Sequence, residues 1–385
     1  MADYPPLKYS LRYTPCLDGM RAFAVLAVML HHARAPFSAG GFIGVDIFFV
    51  LSGFLITGLM LNEHAKTGTI SFSKFYMRRA LRLLPALFLL LALMLVFNPF
   101  YDGLRSTLID VAVVAGYVAN WTKALGFNRP VSMIHCWSLS IEEQFYILWP
   151  ALFLLLLRVL KSRGRLITAV IALASASAIE RTCLVLLGRP SMRQYYGLDT
   201  RADSLLIGCA LALALAMYGL PRRDRLSGKI VWAGALLAVP CLALVMKFGL
   251  RQSAGMQTAG FTAVALLTAA FVAFLMTNPG HPATRFLSWA PLVWVGRISY
   301  GLYLFHWPMV RYLNNTELSR WSVMAILFPA TFLLAALSYR YIEAPALRLK
   351  DKFRSTEPKE TADGTPETRA TARPFNRTPG WDLEA

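Results

Sequence analysis

Charged and imidazole side chains set inside apolar runs are costly to keep there, so they are the first residues of this sequence to ask about chemistry. The first run reads Leu17-Asp18-Gly19-Met20-Arg21, continues through Ala22 to Leu30, and closes on His31-His32. As a helix, Arg21 and His32 are about 1100° of turn apart, only about 20° off a common face, with a rise of roughly 16 Å. One face then carries a cation near a membrane surface and an imidazole about half way through the hydrocarbon. His31 points about 100° away from His32 and reads as packing or interface. Imidazole titrates near neutrality and can take the proton of a hydroxyl, so His32 reads as a general base. A lone intramembrane histidine is as often a satisfied core residue; the pairing with Arg21 favours the base.

The second cluster is Phe75-Tyr76-Met77-Arg78-Arg79-Ala80-Leu81-Arg82. Arg79 and Arg82 share a face at i,i+3, and Arg78 and Arg82 at i,i+4. A basic cluster at a helix end is ordinarily an anchor. Three arginines without a lysine, however, suit bidentate binding of phosphate. The third is His135-Cys136-Trp137-Ser138-Leu139-Ser140-Ile141-Glu142-Glu143-Gln144-Phe145-Tyr146, in which two adjacent carboxylates precede a strongly apolar stretch. Either a structural ion pair or a working site explains Glu142 and Glu143. Asp46, in Gly44-Val45-Asp46-Ile47, fits a helix start or a site equally well. Ser52-Gly53 reads as close helix packing. The aromatics of Tyr303-Leu304-Phe305-His306-Trp307-Pro308 fit an interfacial belt or a site around His306.

These groups need elements to hold them. Of 385 residues, 56% are hydrophobic and 16% charged, against about 25% charged in a soluble domain. That excludes a disordered chain. The five cysteines have neither disulfide-framework nor metal spacing. A net charge of +18 suggests nucleic acid until the basic residues are seen to punctuate runs long enough to span a bilayer. The runs lie at roughly 20–36, 42–62, 83–98, 106–121, 138–157, 166–187, 203–220, 230–248, 257–277, 291–310 and 321–340. Counting 106–121 as a span would put the basic stretch 158–165 outside, against the positive-inside rule. That segment is also the weakest, with Asp110, Gly116 and Asn120. Dropping it puts every basic cluster inside. The expected fold is therefore an all-α polytopic membrane protein with about ten transmembrane helices and both termini cytoplasmic. Its membrane domain covers 1–350, and a polar, disordered cytoplasmic tail covers 351–385. The N-terminus imitates a signal peptide, but Asp18, Arg21, His31 and His32 interrupt its apolar stretch. No internal repeat supports an inverted-repeat transporter.

In order, these strings resemble the acyltransferase 3 family of membrane acyltransferases. The resemblance rests on the Arg21/His32 pair, GVDIFFVLSGFLIT (44–57), Arg79/Arg82, WSLSIEEQFY (137–146), DTRADSLLIGCALA, GRISYGLYLFHWP and SYRYIEAP. It covers roughly residues 15–350 and implies the same ten-span topology in the cell (inner or plasma) membrane. Larger members carry a C-terminal esterase-like domain, and this chain looks like the stand-alone form. The implied activity is transfer of an acyl group, usually acetyl from acetyl-CoA, onto a hydroxyl. The acceptor would be a surface polysaccharide, a lipopolysaccharide or lipid-linked glycan, or a glycosylated small molecule. Arg21, His32, Glu142 and Glu143 take the catalytic roles by resemblance, with the acting glutamate left open. Arg78, Arg79 and Arg82 would meet the acyl-CoA phosphates, and Asp46, Trp137, Ser138 and His306 would support the site or face the acceptor. A thioester is already activated, so no metal or bound cofactor is expected. Partners would be membrane lipid, acyl-CoA and the glycan, with no nucleic acid. Direct transfer and an acyl-enzyme on Ser138 or His32 both remain open. The alternative is a proton-coupled transporter using His32, Asp46 and Glu142 as a relay; it has no use for an arginine cluster built for phosphate.

Overall fold

The computed structural model describes residues 6–160 and 162–349, so the expected tail at 351–385 lies outside the described residues. The described part is helical, with no strand among the described residues. Numbering the helices of fifteen or more residues gives α1 (Pro15–His32), α2 (Gly44–Thr67), α3 (Phe72–Phe97), α4 (Cys136–Val159), α5 (Arg163–Leu186), α6 (Ala202–Tyr218), α7 (Leu226–Phe248), α8 (Phe261–Thr277), α9 (Ser299–Leu313) and α10 (Arg320–Ser338). Pro15 starts α1, where its missing N–H costs nothing. Gly68, at φ 72°, ends α2 in the left-handed conformation.

Seven stretches are long and apolar enough to cross a membrane: Gly41–Thr67, Phe72–Phe97, Cys136–Val159, Arg163–Leu186, Leu226–Phe248, Met256–Thr277 and Arg320–Leu349. Ala202–Tyr218 is a shorter apolar helix. Neither α1 nor α9 meets the criterion. The first is diluted by Asp18, Arg21, His31 and His32, and the second is only 15 residues long. On α7, Leu236, Leu237, Val239 and Leu244 stand exposed, a continuous apolar surface that water would not tolerate. The chain is a multi-pass membrane protein.

The helices differ from the expected runs in three places. The run at 106–121 becomes a helix of 12 residues, Leu104–Ala115, and a short one at Ala119–Ala124; about 18 Å of helix does not cross a bilayer. The run expected at 83–98 begins earlier, at Phe72, so the arginines occupy the first turns of α3. The run at 291–310 divides at Ile298 into Ala290–Arg297 and α9.

Two contacts set the core. At Gly53 of α2 an added Cβ would stand 1.9 Å from the Leu205 carbonyl oxygen, and at Gly208 of α6 one would stand 2.1 Å from that of Val50. The two backbones touch only because both positions lack side chains. Beside them Arg201 donates to Asp46 at 2.6 Å, both side chains fully buried, and Arg181 donates to Asp203 at 2.9 Å. Charges removed from water and lipid must be paired to be tolerated.

Candidate active site

A cavity of about 760 Å³, its open mouth included, lies between α1, α2, α3, α4 and α9. Helical period explains which side chains reach it. Ser138, Glu142 and Tyr146 follow at intervals of four on α4, Ser299 and Tyr303 do the same on α9, and Arg79 and Arg82 lie at i,i+3 on α3. Arg21 of α1, Ser52 of α2 and Tyr300 of α9 complete the polar lining. Three guanidinium groups thus face a single carboxylate, and the balance favours an anionic ligand.

Each group is held. The Arg79 guanidinium lies 3.6 Å over the Tyr146 ring, and its Nε is buried without a partner. Ser52 donates to Glu142 Oε1 at 2.9 Å, so the hydroxyl read from sequence as packing orients the cavity's carboxylate. Arg21 stands 4.0 Å from Asp18, one turn earlier on α1. Two charged neighbours of these residues, expected beside them, are turned out of the lining. Arg78 points to Glu63 of α2 at 3.1 Å, because a step of one residue turns it about 100° from Arg79. Glu143 is likewise turned from Glu142, and its Oε1 is buried with no hydrogen-bond partner.

The cavity ends on a pair of hydroxyls. Tyr303 donates to the His135 carbonyl at 2.8 Å and receives the Ser138 hydroxyl at 2.6 Å. On the far side of this floor lie His32, His135 and His306. The His135 ring is 5.5 Å and the His306 ring 5.6 Å from that of Tyr303, centroid to centroid. His32 Nδ1 lies 2.9 Å from His306 Nε2, with Trp307 edge-on to His32 at 4.6 Å. His31 instead meets the Ser38 carbonyl at 3.1 Å. Pro308 cannot donate to Leu304 one turn back in α9, and His135 Nε2 takes that carbonyl at 3.0 Å.

The sequence-derived set is therefore divided. Arg21, Arg79, Arg82, Ser138 and Glu142 share the cavity, and His32 and His306 form the layer behind it. Asp46 belongs to the Arg201 ion pair, where Ser204 also donates to it at 3.2 Å. Trp137 packs among Phe49, Tyr195 and Tyr196. Tyr303 and His135 were not singled out in advance. The signal for Tyr303 was its spacing of three from His306, and for His135 its place at the head of the Trp137–Tyr146 string.

Comparison with known proteins adds the lineage. The profile of the family described as an acyltransferase domain, Acyl_transf_3, matches residues 14–340. Peptidoglycan O-acetyltransferase OatA of Listeria monocytogenes serovar 1/2a is 36% identical over 352 residues, covering 88% of this chain and 56% of the relative. The putative peptidoglycan O-acetyltransferase YrhL of Bacillus subtilis is 37% identical, covering 87% and 55%. O-acetyltransferase OatA of Staphylococcus aureus (strain NCTC 8325 / PS 47) is 34% identical, covering 88% and 58%. The chain thus spans a little over half the length of these relatives. No solved structure matches it. With the profile running through nearly every helix that lines the cavity and the histidine layer, this chain belongs to the acyltransferase 3 family.

Proposed function

We propose that the chain is a plasma-membrane O-acyltransferase that moves an acetyl group from cytoplasmic acetyl-CoA to a hydroxyl of a cell-wall glycan. The names of the relatives favour peptidoglycan as the acceptor. In this reading α1 to α10 are ten spans with both termini cytoplasmic, and the arginine end of the cavity faces inward with the basic clusters. The observation that carries it is the cavity in which Arg21, Arg79 and Arg82 outnumber the one carboxylate. Coenzyme A is anionic and confined to the cytoplasm, and its phosphates need such a mouth.

The chemistry follows from the two layers. CoA phosphates bind the guanidiniums, and the pantetheine arm runs along Ser52 and Glu142 towards the Ser138–Tyr303 floor. The thioester passes that floor to reach His32. His32 takes the proton of the acceptor hydroxyl, the oxygen attacks the thioester carbonyl, and the C–S bond breaks. The departing thiolate recovers the proton from the imidazolium, leaving the ester and free CoA. The transporter alternative gains nothing, because His32, Asp46 and Glu142 hydrogen-bond in three separate networks.

The test is acetyl-CoA binding and CoA release by the purified protein in proteoliposomes, with glycan strands as acceptor. Ester-linked acetate on the cell wall is then measured with and without the gene. Binding followed by glycan-dependent CoA release is expected. A folded protein that binds no acetyl-CoA would overturn the reading.

A further inference from the structure

His306 is fully buried in α9, and its ring lies within 17° of the plane of the His32 ring, with 5.2 Å between centroids. Its Nδ1 lies 2.6 Å from the Tyr303 carbonyl oxygen and 3.2 Å from that of Leu302. A carbonyl oxygen only accepts, so Nδ1 carries the hydrogen. No carboxylate hydrogen-bonds this ring among the described residues, and a second proton would leave a buried, uncompensated cation. The ring is then neutral, with the lone pair on Nε2. That lone pair faces His32 Nδ1 at 2.9 Å, so His32 Nδ1 is the donor and its own lone pair lies on Nε2.

We propose that His306 is a positioning residue for acyl transfer, holding the His32 imidazole in the tautomer and orientation that leave Nε2 free to receive the acceptor's proton. The device needs nothing charged. A backbone carbonyl of α9 sets one ring, and that ring sets the next, as a carboxylate does for the histidine of a hydrolase triad. His32 closes α1, and its ring is placed by His306 and by Trp307, which lies edge-on to it at 4.6 Å. The proposal rests on the reading of His32 as the base and adds the group that makes it one.

The test compares His306→Leu, which removes the acceptor atom, with His306→Gln, whose amide oxygen can stand where Nε2 stood. Transfer from acetyl-CoA to peptidoglycan glycan strands is followed in proteoliposomes, with His32→Ala alongside. His306→Leu should lower kcat about 100-fold or more with the KM for acetyl-CoA within about twofold, since losing the oriented base costs what base catalysis supplies. His306→Gln should recover activity to within about tenfold of wild type. Equal losses in Leu and Gln variants, or an active Leu variant, would overturn the positioning role while an inactive His32→Ala left the base reading standing. A fully active His32→Ala would instead remove the base reading. Should the Leu variant fail to fold, 15N-histidine NMR of the wild-type chain decides. With only six histidines and the His32→Ala spectrum for assignment, a lone-pair nitrogen at His32 Nε2 supports the proposal, and one at Nδ1 overturns it.

Discussion

Replacing the arginines of α3 one at a time separates a phosphate-binding mouth from a membrane anchor. Arg79 and Arg82 line the cavity, whereas Arg78, adjacent in sequence, is turned to Glu63. A charge-assisted hydrogen bond contributes about 1.5–3 kcal/mol, and about 1.4 kcal/mol is a decade of affinity, so Arg79→Ala or Arg82→Ala should raise the Kd for coenzyme A about 10- to 150-fold. Arg79 also stacks on Tyr146 at 3.6 Å, an interaction of about 0.5–2 kcal/mol that lysine reproduces poorly. Arg79→Lys should therefore restore less affinity than Arg82→Lys. Arg78→Ala should leave affinity within about twofold and cost stability instead, because it leaves the mostly buried Glu63 carboxylate without that partner. The assay is equilibrium binding of coenzyme A to purified protein in nanodiscs at two salt concentrations, with thermal melts to certify folding. Equal weakening by all three alanines would mean a general basic surface. Unchanged affinity in both Arg79→Ala and Arg82→Ala would return the cluster to an anchor.

Three further expectations follow from the same geometry. Ser138→Ala should keep acyl transfer within a few-fold, because the hydroxyl is committed to Tyr303; complete loss, with an acyl-serine seen by mass spectrometry in the wild type, would establish a covalent route. Glu142→Gln should depress turnover more than Glu143→Gln, since only Glu142 faces the cavity and holds Ser52; the reverse order in the transfer assay would mean that the α4 stripe is misassigned. Outside the spans, the hydrogen bonds from Arg311 hold the Asp102 carboxyl below the ordinary carboxylate range. Its stabilisation is thus present above the unfolded value of about 4 and disappears as pH falls through the lower folded one. Asp102→Asn should lower Tm at neutral pH, by at most about 1 kcal/mol of stability after solvent screening, and the gap to wild type should close in acid.

How much of this was legible beforehand follows from what a helix encodes. Period alone placed Arg79 beside Arg82 and separated His32 from His31, because the 100° step is a property of one chain segment. The same step, applied to adjacent pairs, could have parted Arg78 from Arg79 and Glu142 from Glu143 once one member was anchored, but nothing local says which member faces inward. That choice is made by the opposing helix. Ser52 meets Glu142 across 90 residues of sequence, Arg201 meets Asp46 across 155 and His306 meets His32 across 274. Asp46 looked equally like a cap and a site residue for the same reason: its partner is on α6. Apolar runs located most of the membrane helices but misplaced the start of α3, since hydropathy falls at the arginines while backbone hydrogen bonding continues through them.

The Ser138–Tyr303 hydroxyl pair has an electrical meaning as well as a chemical one. A membrane that stores energy as an ion gradient exacts about 2.3 kcal/mol for each unit charge moved through 100 mV. An open polar shaft from the arginine mouth to three imidazoles would let protons run down that gradient between turnovers. Tyr303 and Ser138 spend their hydrogen bonds on each other and on the His135 carbonyl, which breaks the chain of donors and acceptors at one layer. In the proposed reaction the pair would keep that layer closed between turnovers, and each thioester passing through it would open the layer for the length of its passage.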